Sequence, residues 1–366
     1  MTPKYEFAVL SHTSKSNALG RALAMATVAQ SVGPVTVWAV DDGPTWPAAA
    51  KFGHSINLVS SSGTISWTSK RPDVRKILWI SKGISPSLQI MKRALADCTQ
   101  IIVVLDLDDD DAALAEMFRH RRTMNKLKLN ALRKGHPRRI RMSQNMIAQR
   151  AQLFTFSTYS LAEVFPNTFT PRVRIPHVRP LEPKPRRRAS APELAVIKVG
   201  TFGTIRDHKG LSLIRELIQY DKAVEMHVFE NSGLVASSLP SGRVVEHSVD
   251  EDLMHVYGCV DVALIPMSTE SGADVQLPAK LIDAMRAGVP VVTSKSSAIY
   301  EIAGDTVTYL PDNTDVSEVR GRIDEAIARG GERVRSRFEE TSSNSAAAAI
   351  LKDFLDHADQ RDSKIR

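Results

Sequence analysis

Apolar residues along this chain recur with two periods, and the two alternate. Residues 5–10 form a short apolar run of strand type, and residues 20–32 carry Ala, Leu and Met at helical spacing. Residues 34–40 read as strand again, before Asp41-Asp42-Gly43-Pro44 breaks the pattern. The uninterrupted run Ile101-Ile102-Val103-Val104-Leu105 is what a strand covered on both faces requires. Helical spacing follows over 112–133 and 143–150, then a short strand at 154–157 and a short helix at 160–165. Strand, helix and strand in turn predict an α/β fold built on parallel, doubly wound sheets.

Over residues 166–192 the composition shifts to Pro and Arg, so neither a long helix nor a long strand can run through it. Alternation then resumes with strand at 195–199, helix at 210–219, strand at 224–229, helix at 250–257 and strand at 260–265. A helix from Pro278 and a strand from Val289 follow, and a last helical pattern covers 344–357. The predicted organisation is one α/β domain over 1–178, a linker over 179–193, a second α/β domain over 194–335, and a C-terminal helix within 336–366.

Composition narrows the class. Of 366 residues, 43% are apolar and 24% charged, which is ordinary for a globular chain and long enough for two domains. Cys98 and Cys259 lie far apart and match no metal spacing, so they read as reduced thiols in a cytoplasmic setting. No apolar run approaches the length of a membrane span, and the first ten residues lack the apolar core of a signal peptide. The net charge of +7 is concentrated: between Arg119 and Arg141 stand ten Lys or Arg and no acid, interleaved with Met124, Leu127, Leu129, Leu132 and Ile140. Basic and apolar side chains together suit an anionic membrane surface, such as the inner face of the plasma membrane. Nucleic acid is the rival partner, but no helix-turn-helix, zinc finger or aromatic stacking pattern accompanies the charge.

The most informative stretch is Gln276 to Ser294. Pro278 suits the first position of a helix, Gly288 the left-handed residue just past its end, and Pro290 stops it from resuming. Lys280 and Asp283 share one face within the first two turns. Cation, carboxylate and open backbone N–H groups at one helix start make an anion site. Read without context, the same pair is a solvated ion pair on a packing helix.

The order Asp261-Val-Ala-Leu-Ile-Pro266, polar loop, Pro278 helix, Gly288-Val-Pro-Val-Val292 resembles the donor half of family 4 glycosyltransferases of the GT-B fold. The resemblance implies two Rossmann-like domains with parallel sheets and an interdomain cleft, and a C-terminal helix packing back on the first domain. Pro278, Lys280, Leu281 and Asp283 match a Pro-x-Lys-apolar-x-Glu motif, in which the acid binds the ribose of a nucleotide sugar. The family places a second acid eight positions earlier; Val275 stands there, with Glu270 and Asp274 nearby. The loop from Val199 to Gly210 matches Gly-Arg-x-x-x-x-Lys-Gly at Gly203, Lys209 and Gly210, with Thr204 at the Arg position and Arg206 two residues later. The resemblance therefore implies Lys209 and Lys280 at the leaving diphosphate and Gly203 and Asp283 at the donor, with Thr204 or Arg206 at the Arg position and Glu270 or Asp274 in place of the missing acid as further donor-binding candidates. His12 and Gly20, in the first strand-to-helix loop and helix start, fall on the acceptor side.

The run Asp106-Leu107-Asp108-Asp109-Asp110-Asp111 follows the buried strand and offers a second reading. Asp106 and Asp108 match the Asp-x-Asp that holds a divalent ion in GT-A transferases, since hard cations favour carboxylate oxygen. They also suit a helix start, where negative charge is favoured, and Asp106 could stand near the acceptor. The expected activity is transfer of a sugar, with retention, from a nucleotide diphosphate sugar to a glycan or membrane-associated lipid, without an obligatory cofactor or metal. The alternatives are a catalytically silent GT-B subunit, a GT-A-like enzyme using Asp106 and Asp108, and a GT-B nucleotide-sugar epimerase.

Overall fold

The first apolar run forms β1 (Tyr5–Ser11), and every residue of it is buried in the computed structural model. The structure describes residues 4–365 apart from 99, 121–134, 166–169, 186–195, 206–209, 235–239, 241, 268–273 and 313, with no side chains given for 117–120 and 358–365. Most of the basic run, residues 186–192 of the Pro- and Arg-rich stretch, Arg206, Lys209 and Glu270 therefore lie outside the described residues. Contacts divide the chain into two units, Met1–Val178 with Asn344–Arg366, and Arg179–Ser343.

In the first unit, β1 is followed by α1 (Ala18–Gln30), β2 (Val35–Val40), β3 (Ile56–Val59), β4 (Arg75–Ser81) and α2 (Ser85–Asp97). Then come β5 (Ile101–Leu107), α3 (Asp111–His120), α4 (Pro137–Ala148), β6 (Leu153–Phe156), α5 (Tyr159–Glu163) and β7 (Arg172–Arg174). All neighbours pair in parallel, in the order β3-β2-β1-β4-β5-β6-β7. The strand order reverses between β1 and β4, and at such a point the loops leaving the two strands diverge and open a crevice at the carboxyl edge. α4 begins six residues before the helical spacing predicts: Pro137 takes the first turn, and the His136 ring accepts the Arg138 N–H.

The second unit repeats the plan. Its elements are β8 (Ile197–Gly200), α6 (Leu211–Tyr220), β9 (Val224–Phe229), β10 (Val244–His247), α7 (Leu253–Gly258), β11 (Val262–Ile265) and α8 (Ala279–Ala287). β12 (Val291–Ser294), α9 (Ser297–Ala303), β13 (Thr308–Leu310), α10 (Val316–Arg329) and α11 (Glu332–Thr341) complete it. The parallel order is β10-β9-β8-β11-β12-β13, with the reversal between β8 and β11. From Asn344 the chain re-enters the first unit as α12 (Asn344–Ile365), where Ala347, Leu351 and Leu355 join the core of Phe7, Leu23, Met25 and Trp79. None of the described helices is long and apolar enough to cross a membrane.

Candidate functional site

The reversal in the second unit brings two loops to one edge, that after β8 and that before α8. Thr201, in the first of them, donates its hydroxyl to the Leu264 carbonyl of β11 at 2.9 Å. Gly203 has φ +92° with open space on its Cβ side, and both it and Thr204 are exposed, so this backbone is accessible to a ligand. Gly210 caps α6 at φ +71°, and a Cβ there would overlap the Pro266 ring. Only glycine satisfies both the left-handed backbone and that approach.

α8 starts one residue later than the proline pattern predicts: Pro278 is the N-cap, with ψ +124°, and Ala279 is the first helical residue. Gly288 stops the helix at φ +66°, with its N–H and that of Val289 bonded back to Met285 and Ala284 carbonyls. Lys280 thus sits in the first turn, and its carbonyl accepts the buried Tyr257 hydroxyl at 3.0 Å. Burial and then the Asp283 charge push the Tyr257 hydroxyl well above its ordinary pKa, so it remains a donor. Asp283 is nearly buried and faces Arg179, whose Nε donates to Oδ1 at 2.7 Å and whose Nη2 donates to Oδ2 at 3.4 Å. Asp274, one of the two acids near Val275, spends its carboxylate on the start of α9, accepting the Ser297 N–H at 2.9 Å and hydroxyl at 2.6 Å.

In the first unit, the crevice edge holds the loop after β1, the end of β4 and the Asp run after β5. Asp42 organises the first of these, accepting from the Thr13 and Ser14 hydroxyls and the Ser14 N–H. His12 stands beside it. Burial, then the Lys82 charge, lower the His12 ring to about 4, so the imidazole is neutral at neutral pH. Its Nδ1 is buried and has no hydrogen-bond partner among the described residues. Gly20, the other acceptor-side candidate, lies within α1, where a Cβ would press on the Trp46 ring at 3.1 Å; its absence of a side chain accommodates that indole.

Lys82 was not among the sequence candidates. It follows β4 directly and is the only non-glycine with positive φ (64°) among the described residues, a conformation that costs energy and collects at functional loops. Its ammonium lies 2.6 Å from Asp108 and 3.2 Å from both Asp109 and Asp111. Burial alone would raise the Asp108 carboxyl, but Lys82, with Arg21 and His177, holds it low. The signal in the sequence is a Lys-Gly pair ending an apolar run, at the strand next to β1.

The Asp-x-Asp reading is corrected by this arrangement. Asp106 is fully buried, both oxygens taken by Arg21, with Thr155 donating to one of them at 2.7 Å. Asp108 meets Lys82, and Asp110 meets Arg141 at 2.8 Å while accepting the Ala113 N–H. Protein cations neutralise these carboxylates where the GT-A reading requires a metal. Asp106 is accordingly sealed in the core on Arg21 and Thr155 and does not face solvent, where an acceptor would stand.

The family described as "Glycosyl transferases group 1" matches residues 230–329, within the second unit. The structure is similar to that of HepE from Anabaena in complex with UDP and glucose, at 13% identity and a TM-score of 0.67, covering 97% of this chain and 99% of that one. It is also similar to a sucrose-phosphate synthase from Thermosynechococcus elongatus, at 13% identity and 0.65, covering 98% and 100%. No curated protein matches the sequence. The fold is GT-B: two sheets of parallel strands with helices, matched over nearly the whole chain. Fold and family segment together indicate a glycosyltransferase, which also sets aside the GT-A alternative.

Proposed function

We propose that the protein is a family 4 glycosyltransferase that takes a sugar, with retention, from a nucleotide diphosphate sugar and joins it to a hydroxyl of a glycan or membrane-associated lipid. The observation that carries this reading is α8 itself. A cation in its first turn and the positive end of its dipole stand at the carboxyl edge where strand order reverses, inside the segment that matches group 1 glycosyltransferases.

In the reaction, the bond between the anomeric carbon and the diphosphate oxygen breaks, the acceptor hydroxyl oxygen forms the new bond, and its proton passes to the departing diphosphate. Lys280 and the α8 amides, with Lys209, stabilise the charge growing on the leaving diphosphate. Gly203 lets the backbone approach that group, Thr204, Arg206 and Glu270 contribute to the donor pocket, and Asp283 accepts from the ribose. On the first unit, His12 stands on the acceptor side as a neutral imidazole. HepE, similar in fold, forms complexes with UDP and glucose and with UDP-glucose, which supports a uridine nucleotide as the first donor to try. The basic run from Arg119 to Arg141 would hold the enzyme to an anionic membrane, at a cytoplasmic location.

The test is a panel of nucleotide sugars incubated with the purified chain, read as released nucleoside diphosphate with and without acceptor glycans and lipids. Acceptor-dependent release from one donor is expected. Donor isomerised without release would point to an epimerase, and no turnover of any donor to a silent subunit.

A further inference from the structure

The chain enters the second unit at Arg179, and that residue is bonded in two directions. Its N–H donates to the Ser342 carbonyl at 3.1 Å, and it forms an isolated bridge with Ser343, where the chain leaves the same unit. Its guanidinium turns the other way, onto Asp283 of α8. Three residues on, Glu182 pairs with Arg286, one turn further along α8. Arg335 of α11 closes the arrangement, donating to the Glu182 and Arg286 carbonyls. At the far end of α8, the Gly331 backbone lies so close to the Gly288 carbonyl that a Cβ on Gly331 would overlap it. The segment 179–182 is thus stitched along α8.

We infer that Arg179 is a positioning residue for the nucleotide: it fixes the Asp283 carboxylate, and with it the first turns of α8, against the point where the chain enters the second unit. This rests on the reading of α8 as the donor helix. Two features favour it over mere structural pairing. The Arg179 side chain is 19% exposed and that of Asp283 11%, so the pair borders solvent and is not sealed in the core. A carboxylate also has about four lone-pair sites, so Arg179 leaves acceptor capacity for ribose hydroxyls while holding the group oriented. Arg179 lies outside the Pro278 motif and 104 residues from its partner, so it adds a residue to the site that the motif does not contain.

The experiment compares the parent with Arg179→Lys, Arg179→Ala, Asp283→Asn and the Arg179→Ala/Asp283→Asn pair. Binding of UDP and GDP is measured by calorimetry, and amide exchange over residues 279–287 by mass spectrometry. The lysine variant keeps the charge and guards against a failure to fold. Arg179→Lys is expected to weaken nucleotide binding at least about tenfold, because a small misplacement of a contacting group is costly. Its exchange should quicken in 279–287 while that of β9 stays as in the parent. Adding Arg179→Ala to Asp283→Asn should cost little more, since both changes disable one unit. Nucleotide affinity unchanged in both arginine variants, with only a lower melting temperature, would overturn the inference and leave the donor reading standing. A parent that binds neither nucleotide would overturn the donor reading, and this inference with it.

Discussion

Arg21 and Asp106 meet as a two-pronged fork, Nε to Oδ2 at 2.8 Å and Nη2 to Oδ1 at 2.7 Å, with both side chains closed to solvent. The remaining guanidinium donors reach the Ile175 and Pro176 carbonyls, each at 2.7 Å. Thr155 donates to Asp106 and accepts from the Trp79 indole N–H at 3.1 Å. One network therefore joins α1, β4, β5, β6 and the last residues of the first unit before Val178. Such a pair fixes geometry more than it adds net stability, because desolvating two charges offsets most of their attraction.

Removing one partner should be far worse than removing both. Arg21→Met leaves Asp106 buried without its counter-charge, and is expected to cost about 3–5 kcal/mol in urea unfolding. Arg21→Met with Asp106→Leu should recover much of that loss. A single variant within about 1 kcal/mol of the parent would mean that the buried pair relaxes or admits water.

Much of the fold is legible in the sequence because parallel strands buried on both faces are short apolar runs, and β5 and β9 stand where those runs predict them. β4 escapes notice because Arg75 and Lys76 open it, and β10 because half of its four residues are polar. The α4 start is hidden by Arg138, Arg139 and Arg141, which read as charge until Pro137 and the His136 cap are seen. In the site, α8 is legible because Pro278 and Gly288 punctuate it locally. Arg21, Lys82 and Arg179 are not, since each acts through a distant partner: Arg21 finds Asp106 85 residues away, and no periodicity encodes such a pairing.

Acid should destabilise the protein through His12. Its ring is lowered from 6.5 to about 4 in the fold, so the unfolded chain binds the extra proton between those values. The His12 contribution is therefore present above pH 6.5 and lost as the pH falls towards 4. The gap corresponds to at most about 3 kcal/mol. Asp111 works in the opposite sense, since burial, with Asp108 and Asp109, raises its carboxyl to about 7 and its contribution falls as pH rises through that range. The informative quantity is the stability difference between the parent and His12→Asn. It should shrink between pH 7 and 4; a difference independent of pH would show that His12 is solvated.

Transferase activity should survive thorough chelation of divalent metal. Among the described residues, no group of three or more His, Cys, Asp or Glu is disposed to hold an ion, and Asp106, Asp108 and Asp110 each face a protein cation. Activity lost with EDTA, restored by Mn²⁺ and equally lost in Asp108→Asn would return the acids to a metal role.

Lys280→Ala should lower turnover much more than it lowers donor affinity. Lys280 lies in the first turn of α8, where the helix N–H groups and its ammonium favour a group whose negative charge grows as the sugar–diphosphate bond breaks. An interaction that strengthens in the transition state appears in kcat, and losing one electrostatic group of this kind costs about 10²–10³ in rate. The helix itself should tolerate the change: Ala is the better helix former, and the contact that Lys280 makes with Tyr257 uses its carbonyl, which Ala retains. The measurement is kcat and KM for donor hydrolysis, with a melting curve to confirm an intact fold. Near-parental kcat in a folded variant would place Lys280 on the packing face of α8 and take the diphosphate away from this helix.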